Sequence, residues 1–192
     1  MHPFGRKRDF DFRLRAPEHA AAAGMRRIGI GALLGLGRFR VEAFCTGLHA
    51  LHLARHFWRT HLTVSFPRMR PADGGFQPLN PVSDRDFVQL ICALRLLLPD
   101  AGLVLSTRES AQLRDNLLPL GITQMSAGSC TSPGGYAEMD ESGRQFVIDD
   151  DRNSRRGRCH VARHGVTTRS GRTGTPLFTA DGICWLCRGV LP

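Results

Sequence analysis

No run of apolar residues in this 192-residue chain approaches the ~20 that a bilayer-crossing helix requires. The opening Met1-His2-Pro3-Phe4-Gly5-Arg6-Lys7-Arg8-Asp9 has no apolar stretch of the signal-peptide kind. Lysine is nearly missing: of 26 basic residues only Lys7 is lysine. A phosphate-binding surface draws on lysine as well as arginine, so this one-sided usage points to GC-rich coding DNA more than to a binding patch. The expectation is neither a membrane protein nor a secreted disulfide scaffold, with no nucleic-acid or membrane partner.

The 42% of apolar residues suffice for the core of one ordinary domain. The net charge of +9 is unevenly spread. Residues 152–192 hold eight arginines against one acid, Asp181, whereas residues 1–151 hold 18 bases against 16 acids. Most of the basicity therefore belongs to the tail. From Arg152 onward, Arg152-Asn153-Ser154-Arg155-Arg156-Gly157-Arg158 and the run 166–175 have neither helical nor strand periodicity.

The first 151 residues alternate between two patterns. The run 27–32 reads as a strand and Val41 to Trp58 as an amphipathic helix, with Phe44, Leu48, Leu51 and Phe57 near helical spacing. Leu62-Thr63-Val64-Ser65-Phe66 repeats the strand pattern, and Ser83-Asp84-Arg85-Asp86 resembles a capping box before the helical run 87–98. Leu103-Val104-Leu105-Ser106 is followed by a helix-like run from about Glu109 to Leu118, and Ile122-Thr123-Gln124-Met125-Ser126 is a fourth strand candidate. Short buried strands alternating with helices predict right-handed βα units on a parallel sheet.

Enzymes of this architecture place their chemistry just beyond the carboxyl ends of the strands. There the chain reads Ser65-Phe66-Pro67-Arg68-Met69-Arg70, Ser106-Thr107-Arg108-Glu109-Ser110 and Ser126-Ala127-Gly128-Ser129. Serine and threonine at such junctions also serve as N-caps, and exposed arginines are usually solvated. Three successive strand ends carrying hydroxyls, two of them with arginine, favour a binding role.

Other constellations are weaker. Gly29-Ile30-Gly31-Ala32-Leu33-Leu34-Gly35 has dinucleotide-fold glycines at a spacing one residue too long, and the next strand ends at Phe66-Pro67-Arg68 without the ribose-binding acid. Those glycines equally suit a cofactor approaching the backbone closely in a barrel. Cys45 and Cys92 fall among apolar helical residues and are expected to be buried, inert thiols. Cys184-Trp185-Leu186-Cys187, with Cys159, His160 or His164, can be drawn as a zinc site but lacks a second chelating pair. His49, His52 and His56 share a helical face and read as a packing or surface row rather than a ligand set.

Together, the segments 26–36, 64–71, 81–84, 105–109 and 125–129 make the chain resemble, over residues 2–151, the tyrosine lyases of thiamine biosynthesis, the 2-iminoacetate synthases. It is similar also to the related tyrosine lyases of hydrogenase maturation. The resemblance implies an α/β fold, the C-terminal half of a (β/α)8 radical S-adenosylmethionine barrel of the biotin and thiamin synthesis-associated type over residues 1–151, and a disordered or non-native basic tail over 152–192. It implies S-adenosylmethionine and a 4Fe–4S cluster as cofactors, tyrosine as substrate, thiazole synthase as protein partner and a cytoplasmic location, since such a cluster needs reducing surroundings. It makes Arg68, Arg70 and Arg108 candidates for gripping the substrate carboxylate, which a guanidinium matches bidentately. Ser65, Thr107, Ser126 and Ser129 become candidates for bonding substrate or the cofactor's methionine part, and Gly29 and Gly31 for admitting its adenosyl part.

Two departures qualify this. The family's C-x-x-x-C-x-x-C cluster motif does not occur, so the chain is expected to be a C-terminal fragment, inactive alone, with a separate N-terminal half as a further partner. Codons can also be chosen for Gly165 to Asp181 that, read from the third base, give the family's ending G-Y-D-P-V-W-K-D-W-D. Asn153 to Arg163 yields T-P-A-E-V-A-A-M-L-R-A in the other shifted frame. Residues from about Asn153 onward are therefore expected to be frame-shifted translation, leaving Cys159, Cys184 and Cys187 without an evolved role. A rival reading is a non-catalytic half-barrel that completes a separate N-terminal half or binds thiazole synthase.

Overall fold

A computed structural model describes residues 4–71, 77–127, 129, 148–150 and 152. Helix α1 spans Phe10–Ala22. The carboxylate of Asp9 caps it by accepting from the Phe12 N–H at 2.9 Å, and Gly24, at φ +87°, takes the left-handed turn that ends it. This helix is absent from the periodicity reading above. Its apolar residues are mostly alanine, which supports a helix by propensity while contributing little hydrophobic pattern.

Strand β1 (Arg27–Gly31) follows, then α2 (Phe39–His56), β2 (His61–Ser65), α3 (Asp84–Leu97), β3 (Gly102–Leu105), α4 (Ala111–Leu117) and β4 (Gln124–Met125). Among the described residues four strands form one parallel sheet in the order β1-β2-β3-β4, with β1 and β4 at its edges. Parallel neighbours demand a crossover, and α2, α3 and α4 supply one each. The expected alternation of strand and helix is the fold observed, with β4 shorter than the apolar run 122–126 suggested.

Strand burial follows position in the sheet. In β1 and β2 alternate residues point inward, Ile28 and Ile30, then Leu62 and Val64, whereas all four residues of β3 are buried. Helix α3 has the clearest amphipathic face: Phe87, Leu90, Ile91 and Leu94 recur at i, i+3, i+4 and i+7 and are all buried. Its start is the expected cap, the Ser83 hydroxyl accepting from the Asp86 N–H at 3.1 Å. The ring of Phe87 meets Phe66 edge-on, with centroids 5.5 Å apart. Each fully buried Leu or Phe of this core contributes roughly 1.5–3 kcal/mol.

At the amino-terminal ends of the strands, Arg95 ties the loops together. It donates to the carbonyls of Pro99 at 2.8 Å, Ala101 at 3.0 Å and Gly121 at 2.6 Å and 3.1 Å. At the opposite end, pairing continues past the strands through a Leu34–Arg68 bridge. Leu34 N–H donates to the Pro67 carbonyl at 2.9 Å and Met69 N–H to the Leu34 carbonyl at 2.7 Å. That bridge carries the residues after β2 over the carboxyl rim.

Candidate functional site

Arg68 leaves β2 pointing into the protein rather than to solvent and is only 8% exposed. Its Nε donates to both oxygens of Glu109 at 3.1 Å, and its Nη2 bonds the same carboxylate. Nη1 donates to the Val82 carbonyl at 3.0 Å and to Asp84 at 2.7 Å, while the guanidinium lies 4.6 Å from the Phe87 ring centroid. Burial opposes the charge on Arg68, but the hydrogen bonds and charge of Glu109, with those of Asp84, outweigh it and raise its pKa above the ordinary value.

Arg70, two residues on, donates from Nε to the Arg108 carbonyl at 2.7 Å. Its Nη2 is shared between Glu109 at 3.1 Å and Asp149 at 3.0 Å. The end of β3 is thereby joined to the end of β2. Arg108 is half-buried, Glu109 fully buried, and Ser110 caps α4 by accepting from the Leu113 N–H at 3.3 Å. Thr107 is buried, and its carbonyl receives the N–H groups of Asp149 and Asp150, both at 3.2 Å.

A second ion group stands beside β4. Buried Arg114 of α4 bonds the Asp150 carboxylate and the Ser126 carbonyl. Desolvation lowers the pKa of Arg114 despite the opposing charge of Asp150. Asp150 is buried too, yet its hydrogen bonds to Arg152 and the charge of Arg114 overcome burial and keep its pKa below the usual carboxylate value. Arg152 also grips Asp115, with contacts of 2.9 Å and 3.0 Å, and its pKa is raised chiefly by bonding to Asp150. Arg152 is thus fastened to the body of the sheet. The hydroxyl of Ser126, 2% exposed, has no hydrogen-bond partner.

Arg68, Arg70, Thr107, Arg108 and Ser126 thus lie at the carboxyl ends of adjacent strands, where the sequence placed them. The Ser65 hydroxyl reaches the Ile30 carbonyl at 3.4 Å. Opposite it, a Cβ on Gly31 would lie 2.2 Å from the Ser65 carbonyl oxygen, so close approach of β1 and β2 requires glycine there. Gly29 is half-buried within β1, paired with Thr63, and Ser129 is half-buried beyond β4. Sequence reasoning missed Glu109, Arg114, Asp149 and Asp150 as members of this rim. The adjacency of Glu109 to Arg108 was its only local signal.

The histidine row is a surface row, with His52 and His56 exposed and His49 half-buried. His56 stacks on His52 at 4.2 Å between centroids, and His52 pairs with Glu18 of α1 at 2.7 Å. Desolvation lowers the pKa of His49. Among the described residues no three His, Cys, Asp or Glu are grouped to hold a metal ion. Contrary to the expected burial, Cys45 is exposed on α2 and Cys92 only half-buried on α3, and these two residues do not fit a three-thiolate cluster site. Cys159, Cys184, Cys187, His160 and His164 lie outside the described residues.

The biotin and thiamin synthesis associated domain matches residues 65–173, more than half of the chain. The chain belongs to that family. The matched range begins at the end of β2 and so includes the rim residues of β2, β3 and β4. Over 152 residues the chain is 46% identical to 2-iminoacetate synthase of Escherichia coli and 44% identical to that of Salmonella typhimurium. Each alignment covers 79% of this chain and 40% of the relative, so the chain spans about two-fifths of these proteins. Among solved structures it is similar to HydG, a maturase of the FeFe-hydrogenase, with a TM-score of 0.71 and 40% identity over 80% of this chain and 34% of that one. The HydG of Carboxydothermus hydrogenoformans gives a TM-score of 0.76 and 36% identity over 95% and 42% of the two chains. The expected fold, part of a (β/α)8 barrel, is the one shared with HydG.

Proposed function

We propose that this chain supplies part of the barrel of a 2-iminoacetate synthase, an enzyme that cleaves the Cα–Cβ bond of tyrosine to give 2-iminoacetate and p-cresol for thiazole formation. The observation that carries this reading is the convergence of Arg70, Thr107, Arg108 and Ser126 at one rim of a sheet whose relatives bear that name. In such enzymes S-adenosylmethionine supplies a 5′-deoxyadenosyl radical for hydrogen abstraction. The part of this chain is to bind and orient the amino acid.

Arg108 and Arg70 receive the substrate carboxylate, with Arg68 serving the rim as its inner frame through Glu109. Thr107 and Ser129 bond the substrate or the cofactor's methionine part. The unpartnered Ser126 hydroxyl, with Ser65 at the end of β2, suits a hydrogen bond to substrate or to the cofactor's methionine part, as Gly29 and Gly31 of β1 suit its adenosyl part. A cytoplasmic setting belongs to this reading because the cluster such enzymes carry needs reducing surroundings.

The test pairs this chain with a separately produced segment carrying C-x-x-x-C-x-x-C. Formation of p-cresol by the pair and by neither part alone is the expected result, and Arg108→Ala should weaken tyrosine binding. Failure of the chain to bind tyrosine overturns the reading. A second reading, a non-catalytic half-barrel that completes a separate half or binds thiazole synthase, draws on the edge positions of β1 and β4 among the described strands. Association with either protein in the absence of p-cresol formation supports it. Residues from about Asn153 onward we read as frame-shifted translation, and resequencing of the locus tests this.

A further inference from the structure

We propose that Asp149 is a placeholder for the substrate carboxylate, occupying the outward face of Arg70 until an amino acid displaces it. The inference rests on the reading that this rim receives an amino acid. Arg70 is held from two sides of unequal character. On the inside, Glu109, with a side chain 1% exposed, takes Nη2 at 3.1 Å, and the Arg108 carbonyl takes Nε at 2.7 Å. On the outside, Asp149, with a side chain 32% exposed, takes the same Nη2 at 3.0 Å. The inner contacts fix where the guanidinium lies, and the outer one only neutralises it.

The charges explain why an outer carboxylate is wanted. Arg68 and Arg70 bring two positive charges to one buried carboxylate, Glu109. The surplus charge is met at the solvent edge, by Asp84 on Arg68 and Asp149 on Arg70. Removing a buried partner strands a desolvated charge, whereas a partly exposed ion pair contributes little. Of the carboxylates around Arg70, Asp149 is therefore the one that exchanges at small cost. Exchange leaves the negative charge bonded to Arg70 unchanged, because one carboxylate takes the place of another on Nη2. The backbone of Asp149 stays anchored, its N–H donating to the Thr107 carbonyl at 3.2 Å, so only the side chain has to swing away.

The experiment measures tyrosine and tyramine binding to the full chain by titration calorimetry. Asp149→Asn keeps the size and the backbone bond while removing the competing charge. Tyrosine should bind this variant about 3–5-fold more tightly than wild type, the factor that loss of an exposed ion pair represents. Tyramine, which has no carboxylate, should not gain. Asp149→Ser is a second variant with the same expectation, should asparagine disturb the fold. Unchanged or weakened tyrosine binding in both variants, while Arg108→Ala still weakens it, overturns the placeholder alone. An equal gain for tyramine overturns it as well. Absence of tyrosine binding in wild type and in both variants overturns the underlying reading of the rim and the placeholder with it.

Discussion

The two rims of the sheet solve one problem, anchoring an arginine, with opposite chemistry. At the amino-terminal rim Arg95 meets backbone carbonyls of Pro99, Ala101 and Gly121, neutral dipoles at the edge of water. At the carboxyl rim Arg68 and Arg114 meet the buried carboxylates of Glu109 and Asp150. Loss of Arg95 leaves carbonyls that water can reach. Loss of Asp150 leaves buried Arg114 with no bonded carboxylate among the described residues, and loss of Glu109 leaves buried Arg68 with only the exposed Asp84, both far more costly. Charge is buried at the rim where parallel βα proteins bind ligands, and not at the rim that only closes loops.

The sharpest break of this contrast is Glu109→Ala or Asp150→Ala. Each should destabilise the chain by about 3–5 kcal/mol in urea unfolding. The double replacement Arg114→Met with Asp150→Leu should recover much of that loss, because no buried charge remains unpaired. If Asp150→Ala costs no more than a surface change, the carboxyl rim is as forgiving as the other. Because the pKa of Asp150 is depressed in the folded chain, its contribution is present above the unfolded value near 3.8 and fades as pH falls through the lower folded value.

Next in size is Arg95→Ala, with an expected loss of about 2 kcal/mol for several charge-assisted bonds to carbonyls that solvent then hydrates. A loss equal to that of Glu109→Ala erases the distinction between the rims.

A smaller effect belongs to His49, half-buried on α2 with its Nε2 buried and unpartnered. Its pKa is lowered by burial, so the unfolded chain takes up the proton first. Stability should be level above about pH 6.5 and fall as pH drops below it, and His49→Gln should flatten that slope. The smallest effect is expected at the amino-terminal edge. Trp58 and Arg59 stack on one another at 4.9 Å in the open, and replacing either by alanine should move stability by less than about 0.5 kcal/mol.

Much of the frame was legible because its signals are local. The cap at Ser83, the i, i+3, i+4, i+7 face of α3 and the alternation in β1 and β2 each lie within one turn or strand. Helix α1 escaped because alanine carries propensity without pattern, and its burial at Pro17 and Ala21 arises only when β1 packs beside it. The rim residues Arg68, Arg70 and Arg108 were legible as strand-end positions. Their partners were not: Glu109 lies 41 residues from Arg68, and Asp150 lies 36 from Arg114.

By itself, then, the sequence determined the parallel α/β arrangement, the rim on which polar side chains gather and the resemblance to tyrosine lyases, since periodicity, capping and motif order are carried by neighbouring residues. Only the tertiary structure decided which arginine is sunk against Glu109, which is shared with an exposed aspartate, and how Asp149 and Asp150 are strapped to Thr107. Those assignments depend on desolvation and on pairings between residues far apart in the chain, and neither exists until the strands are laid side by side.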